Sequence, residues 1–143
     1  MPVRAKRFEY AIAIDRAGRL HAEGEAPIEP DPVWTADHLL LAALARCTIH
    51  SLRFHTERAG VDMVASAEAN GVVTRRETDG RYAFVEVECD LDVELDTTDD
   101  AEIDRLLGLA ERDCFVGASL TQPPRYRWRV NGSERSPAAR VEP

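Results

Sequence analysis

The sequence predicts an α+β domain in which antiparallel sheet is arranged around one long central helix. Three observations carry that prediction. The stretch from Thr35 to Gly60, TADHLLLAALARCTIHSLRFHTERAG, has no Pro or Gly between its ends and is the longest helical signal in the chain. Segments of period-two alternation flank it on both sides, the mark of strands with one covered face. The patterns follow the order strands, long helix, strands, shorter helix, final strand, which describes α+β rather than alternating βαβ units.

Phe8, Tyr10, Ile12 and Ile14 alternate with Glu9, Ala11 and Ala13, so the first strand is expected to bury one face. Asp15 to Gly18 reads as a turn, and Arg19 to Glu25 as the returning strand of a hairpin. Pro27, Pro30 and Pro32 make an extended connection into the helix, with Trp34 expected to pack at its start. Thr35 suits an N-cap, Asp37 in the first turn favours the helix dipole, and Gly60 suits the left-handed C-terminal position.

Leu39 to Ala45 is apolar on every face, so this part of the helix is expected to be covered on all sides. From His50 onward the apolar positions thin to Leu52 and Phe54, which predicts one wet face. Cys47 lies between the two regimes, shielded yet reachable. It reads either as a nucleophile or as a small core residue.

Met63 to Glu77 and Arg81 to Asp96 form a second hairpin about Thr78-Asp79-Gly80. On its second strand Val85, Val87, Cys89, Leu91, Val93 and Leu95 share one face and six acids, Glu86 to Asp96, share the other. Cys89 is thus expected to point inward and to be structural. The last strand, Arg125 to Val130, sets three arginines against Tyr126, Trp128 and Val130, and those arginines are expected to pair with the acidic row. Asp99 and Glu102 resemble a capping box opening a helix whose stripe is Ile103, Leu106, Leu107 and Ala110; extended by its own period, that stripe reaches Cys114 and turns it inward. The domain is expected to span 1–132, with 133–143 a disordered polar tail.

With 143 residues the chain is long enough for one well-buried core. Its net charge of −8 argues against nucleic acid as a partner, since phosphate recognition needs a basic surface. The apolar run in the long helix is too short to span a bilayer, so no membrane partner is expected. Three cysteines without a CxxC spacing or a signal peptide point to the reducing cytoplasm. His21, His38, His50 and His55 match no zinc spacing, so neither a metal nor a cofactor is expected.

LLLAALARC in the long helix, RDCFVGASL around Cys114 and the closing RYRWRVNG together resemble the OsmC/Ohr family of thiol-dependent peroxidases over nearly the whole chain to Gly132. The resemblance implies an intertwined α+β homodimer with the long helices at its centre and two active sites at the subunit interface. It implies that Cys47 is the peroxidatic cysteine and Cys114 the resolving one. Arg16, in Arg16-Ala17-Gly18-Arg19, takes the role of the activating arginine, and Asp37 stands where the family usually has a glutamate paired with it. Asp37 is one methylene shorter than that glutamate and, on a straight helix, about 15 Å along the axis from Cys47. Phe115 follows Cys114 where many members have Pro.

The implied chemistry is internally consistent. A thiolate attacks the peroxide, a guanidinium stabilises it, the resulting sulfenic acid is trapped by a second thiol, and an external dithiol, in the family often on a lipoylated protein, restores both. An apolar surround with Phe115 and Trp34 would favour organic hydroperoxides. The alternative is a non-catalytic protein of the same fold that binds an apolar ligand or senses oxidants stoichiometrically.

Overall fold

A computed structural model describes residues 5–23, 25–29 and 33–137. The chain divides into two compact units, one ending at Asp37 and the other starting at His38, each described by itself.

In the N-terminal unit, β1 (Ile12–Ile14) and β2 (Leu20–Ala22) pair antiparallel through the predicted turn. The Asp15 carboxylate builds that turn: Oδ1 accepts from the amides of Ala17 and Arg19 at 2.9 and 3.0 Å. Ile28 pairs back onto Leu20 as a single bridge. The returning strand is shorter than the predicted 19–25, and Pro30 and Pro32 lie outside the described residues. The expectation of a buried face on β1 is corrected, because Phe8, Tyr10, Ile12 and Ile14 are all exposed. A two-stranded ribbon has no second layer to cover either face. Trp34, expected to pack, is 56 % exposed.

The long helix α1 runs Ala36–Ala59, within the predicted limits. Its end is a Schellman arrangement: the Val61 amide donates to Thr56 O at 2.9 Å and the Gly60 amide to Glu57 O at 3.2 Å, with Gly60 at φ +70°. Only Gly takes that φ without a steric cost. The expectation that Leu39 to Ala45 is covered on every side is corrected, since Ala42 and Ala43 are exposed. The buried positions are instead Leu44, Thr48, Ser51, Leu52 and Thr56, a stripe at helical spacing along the whole second half.

That stripe joins the core formed by the sheet and the second helix. The sheet order is β3 (Met63–Arg75), β4 (Tyr82–Leu95), β5 (Arg125–Val130) and β6 (Ser133–Arg135). β3 and β4 form the predicted hairpin, and Val87, Cys89, Leu91, Val93 and Leu95 are buried as their alternation requires. The expectation for Val85 is corrected, because the register skips it opposite Val72 and Val73 and packs Phe84 against the core instead.

β5, however, runs parallel to β4, so the sheet is mixed rather than wholly antiparallel. Between them the chain crosses over through α2 (Asp100–Arg112) and the single turn α3 (Phe115–Ser119), which returns it to the same end of the sheet. The register sets Glu88 beside Arg125 and Asp90 beside Arg127, giving the expected ion pairs at 3.9 and 3.1 Å.

The Asp99 carboxylate caps α2 by accepting from the amides of Ala101 and Glu102, and Ile103, Leu106, Leu107 and Ala110 are buried. α2 does not extend to Cys114 as its stripe suggested. It stops at Arg112, and Cys114 is the N-cap of α3, turned inward all the same.

The expected disordered tail is corrected at its start. Asn131 and Gly132 both take positive φ, the requirement of a two-residue hairpin turn, and fold Ser133–Arg135 back as β6. Arg135 of that strand is paired with Asp100 at 2.5 Å; residues 138–143 lie outside the described residues.

Candidate thiol site

Cys47 and Cys114 come together although they stand on separate elements. Cys47 sits beside the buried stripe of α1, half-buried, and Cys114 caps α3 with 0 % exposure. The two side chains are close enough for each to influence the other, and the backbone amides of Phe115 and Val116 face the Cys47 sulfur. Both thiols are free. Burial pushes the Cys47 thiol above its ordinary value, Cys114 adds to the push, and the two amides oppose it.

Two hydroxyls complete the cluster. Thr48 Oγ1 lies 3.4 Å from Cys114 Sγ and donates to Leu44 O at 2.8 Å. A threonine hydroxyl has one hydrogen, so with that hydrogen spent on Leu44 it receives the S–H of Cys114. Tyr126, inward on β5, places its hydroxyl against the Cys114 sulfur.

Gly117 permits this approach, because a Cβ there would overlap the Tyr126 hydroxyl and lie 3.5 Å from Cys114 Sγ. Burial holds the Tyr126 hydroxyl in its protonated form. Cys89, read from the sequence as structural, is buried in the same cluster: it pairs in register with Tyr126 and is pushed up to about 11 by burial.

The other two predicted site residues belong to the N-terminal unit. Arg16 is exposed on the turn between β1 and β2. The neighbouring Arg19 is the one held by Asp15, Nε to Oδ2 at 2.9 Å, and His21 Nε2 lies 2.8 Å from the same oxygen. Asp37 is exposed in the first turn of α1. Phe115, expected to line an apolar surround, is 70 % exposed.

Sequence reasoning missed Thr48, Tyr126 and Gly117 as parts of the site. The signal was present in Thr48 at i+4 from Leu44 and in the inward parity of Tyr126. Among the described residues no group of three His, Cys, Asp or Glu side chains is placed to hold a metal ion. A hollow of about 1240 Å³ on the C-terminal unit is lined by Glu111, Gly117, Tyr126 and Trp128 among others and by none of the cysteines, so it borders the thiol cluster through Gly117 and Tyr126. No described helix is long and apolar enough to cross a membrane.

Comparison with known proteins gives this arrangement relatives. The family model described as OsmC-like protein matches residues 30–129. No curated protein matches the sequence. Among solved structures, an OsmC-like protein of unknown function from Vibrio cholerae superposes with a TM-score of 0.72 at 14% identity, covering 86% of this chain and 100% of its own. The organic hydroperoxide resistance protein OhrB of Bacillus subtilis gives 0.53 at 15% identity, covering 86% and 96%. An organic hydroperoxide resistance protein OsmC from Legionella pneumophila gives 0.56 at 14% identity, covering 89% and 98%. At these identities the similarity shows the fold.

Proposed function

Because this chain belongs to the OsmC-like family, we propose that it is a thiol-dependent peroxidase reducing organic hydroperoxides in the cytoplasm as a homodimer. The observation that supports this most directly is the meeting of the two cysteines: Thr48, the residue after Cys47, holds its hydroxyl 3.4 Å from Cys114 Sγ, and Cys114 acts on the Cys47 thiol. A protein that merely offered an apolar pocket would need neither sulfur.

In the proposed cycle the Cys47 thiolate attacks the distal oxygen of a hydroperoxide, the O–O bond breaks, and the alcohol leaves with a proton. Cys47 becomes a sulfenic acid. The Cys114 sulfur attacks it, water leaves, and a Cys47–Cys114 disulfide forms. An external dithiol, such as a lipoylated protein, then reduces the disulfide and is itself oxidised to a disulfide. The amides of Phe115 and Val116 stabilise the anion at Cys47 but do not overcome the effect of burial. An added cation is therefore required, and the family resemblance assigns that part to Arg16, with Asp37 as its acidic partner. No metal or organic cofactor enters the cycle.

Steady-state reduction of cumene hydroperoxide with dihydrolipoamide tests the proposal. Wild type is expected to turn over many equivalents and Cys47→Ser none, while Cys114→Ser performs a single turnover. One equivalent consumed by wild type would instead identify a stoichiometric sensor, and none an apolar-ligand binder.

A further inference from the structure

We propose that Tyr126 and Thr48 are positioning residues that make Cys114 the departing sulfur when the disulfide is reduced, so that the incoming thiol bonds to Cys47. This deepens the peroxidase reading and rests on it. Thiol–disulfide exchange has a direction: the attacking thiolate bonds one sulfur and expels the other, and the outcome depends on access and on how well the expelled thiolate is stabilised.

Access separates the two sulfurs. In the single chain Cys47 is half-buried beside the helix stripe, whereas Cys114 is fully buried. Stabilisation of the expelled anion separates them again. The Tyr126 hydroxyl and the Cys114 sulfur bound the same space beside Gly117, where a Cβ would meet both, so the hydroxyl is placed to donate to the sulfur once it leaves as an anion. Thr48 Oγ1 at 3.4 Å receives from the Cys114 thiol in the reduced protein. Once Cys114 has left as a thiolate, that rotor is free to turn from Leu44 O and become a second donor.

A hydroxyl donor is needed at this position because burial removes the water that would otherwise solvate the anion. Neither hydroxyl serves the first chemical step, in which Cys47 attacks the peroxide. Their contribution falls on the later steps: Cys114 as nucleophile toward the sulfenic acid, and Cys114 as leaving group during reduction. The reduction balances as a two-electron exchange, in which the external thiolate forms an S–S bond to Cys47, the Cys47–Cys114 bond breaks, and the electron pair leaves on Cys114. Its proton comes from the thiol that was consumed.

The test uses Tyr126→Phe, which keeps the ring and removes the donor. The disulfide form is treated with the monothiol cysteamine, quenched with acid and mapped by peptide mass spectrometry. Wild type is expected to carry the adduct on Cys47; an adduct on Cys114, or equal labelling, overturns the proposal.

In stopped flow, Tyr126→Phe is expected to slow disulfide formation and reduction by about tenfold, the loss of one hydrogen bond to a charged sulfur, while sulfenic acid formation stays within about twofold. Equal slowing of all steps would mark a structural role and overturn it. A second readout does not depend on turnover: in Cys47→Ser, alkylation of Cys114 by iodoacetamide is expected to slow on adding Tyr126→Phe, and an unchanged rate overturns the role of Tyr126. Absence of hydroperoxide turnover in wild type would overturn the peroxidase reading instead, leaving the alkylation result to decide this one.

Discussion

His55 Nε2 on α1 lies 2.7 Å from Asp113 Oδ2, on the residue immediately before Cys114. Arg112 grips the other side of the same carboxylate, Nε to Oδ1 at 2.8 Å. With Ser51 Oγ donating to Ala110 O at 2.8 Å, the bonds from His55 and Ser51 tie the long helix to the segment that carries Cys114. Asp113→Ala is expected to cost about 1 kcal/mol, a figure that allows for screening of a part-exposed pair, and to speed alkylation of Cys114. Urea unfolding and thiol-labelling kinetics check the two effects. Arg112, and after it His55, hold the Asp113 carboxyl below the usual carboxylate range. Its contribution is therefore complete above that range and is lost as pH falls through the lowered value.

Stability is also expected to fall on the alkaline side. Cys89 is pushed from 9.0 to about 11 by burial, so the folded state keeps a proton that the unfolded chain releases. The stabilisation is present below pH about 9 and is lost as pH rises toward about 11, amounting to about 2 to 3 kcal/mol. Urea midpoints measured across that interval are expected to drop less in Cys89→Val than in wild type.

The long helix was legible because its stops are chemical: an acidic first turn, no internal breaker, and a glycine that takes φ +70°. The β3–β4 hairpin was legible because apolar positions alternate with six acids, though the expected inward Val85 gives way to Phe84 where the register shifts. Strand direction was not, since alternation reports which face is covered and not which way a neighbour runs, and so the parallel β5 was missed. Thr48, Ser51 and Thr56 escaped notice because a buried stripe made of hydroxyls carries no hydrophobic signal. Cys47 and Cys114 were identified through motif resemblance, while their hydroxyl partners depend on packing between distant segments.

Arg16→Ala tests the part given to the guanidinium. In the proposed cycle Arg16 supplies the cation that favours the thiolate, so its removal is expected to move the rising limb of peroxidase rate against pH upward. Activity at neutral pH should fall at least about tenfold. Arg16→Lys is expected to recover part of the loss, because it keeps the charge and forgoes the forked donor. A pH–rate series on the three proteins reads this directly.

Gly117→Ala places a methyl where the Tyr126 hydroxyl lies. The expected result is about 1 to 3 kcal/mol of destabilisation from overpacking, with slower disulfide reduction than in wild type at matched folded fraction. Thermal melts and single-turnover kinetics separate the two.

The crossover between β4 and β5 has a bearing on how the protein is made. Cys47 and Cys89 leave the ribosome well before Cys114 and Tyr126, and a parallel pairing closes only after its whole connection has been synthesised. During that interval two sulfurs of the nascent chain lack the neighbours that shelter them. Completion of the thiol cluster is thus tied to docking of β5, and oxidant present during translation would meet a chain in which Cys47 and Cys89 stand without Cys114 and Tyr126.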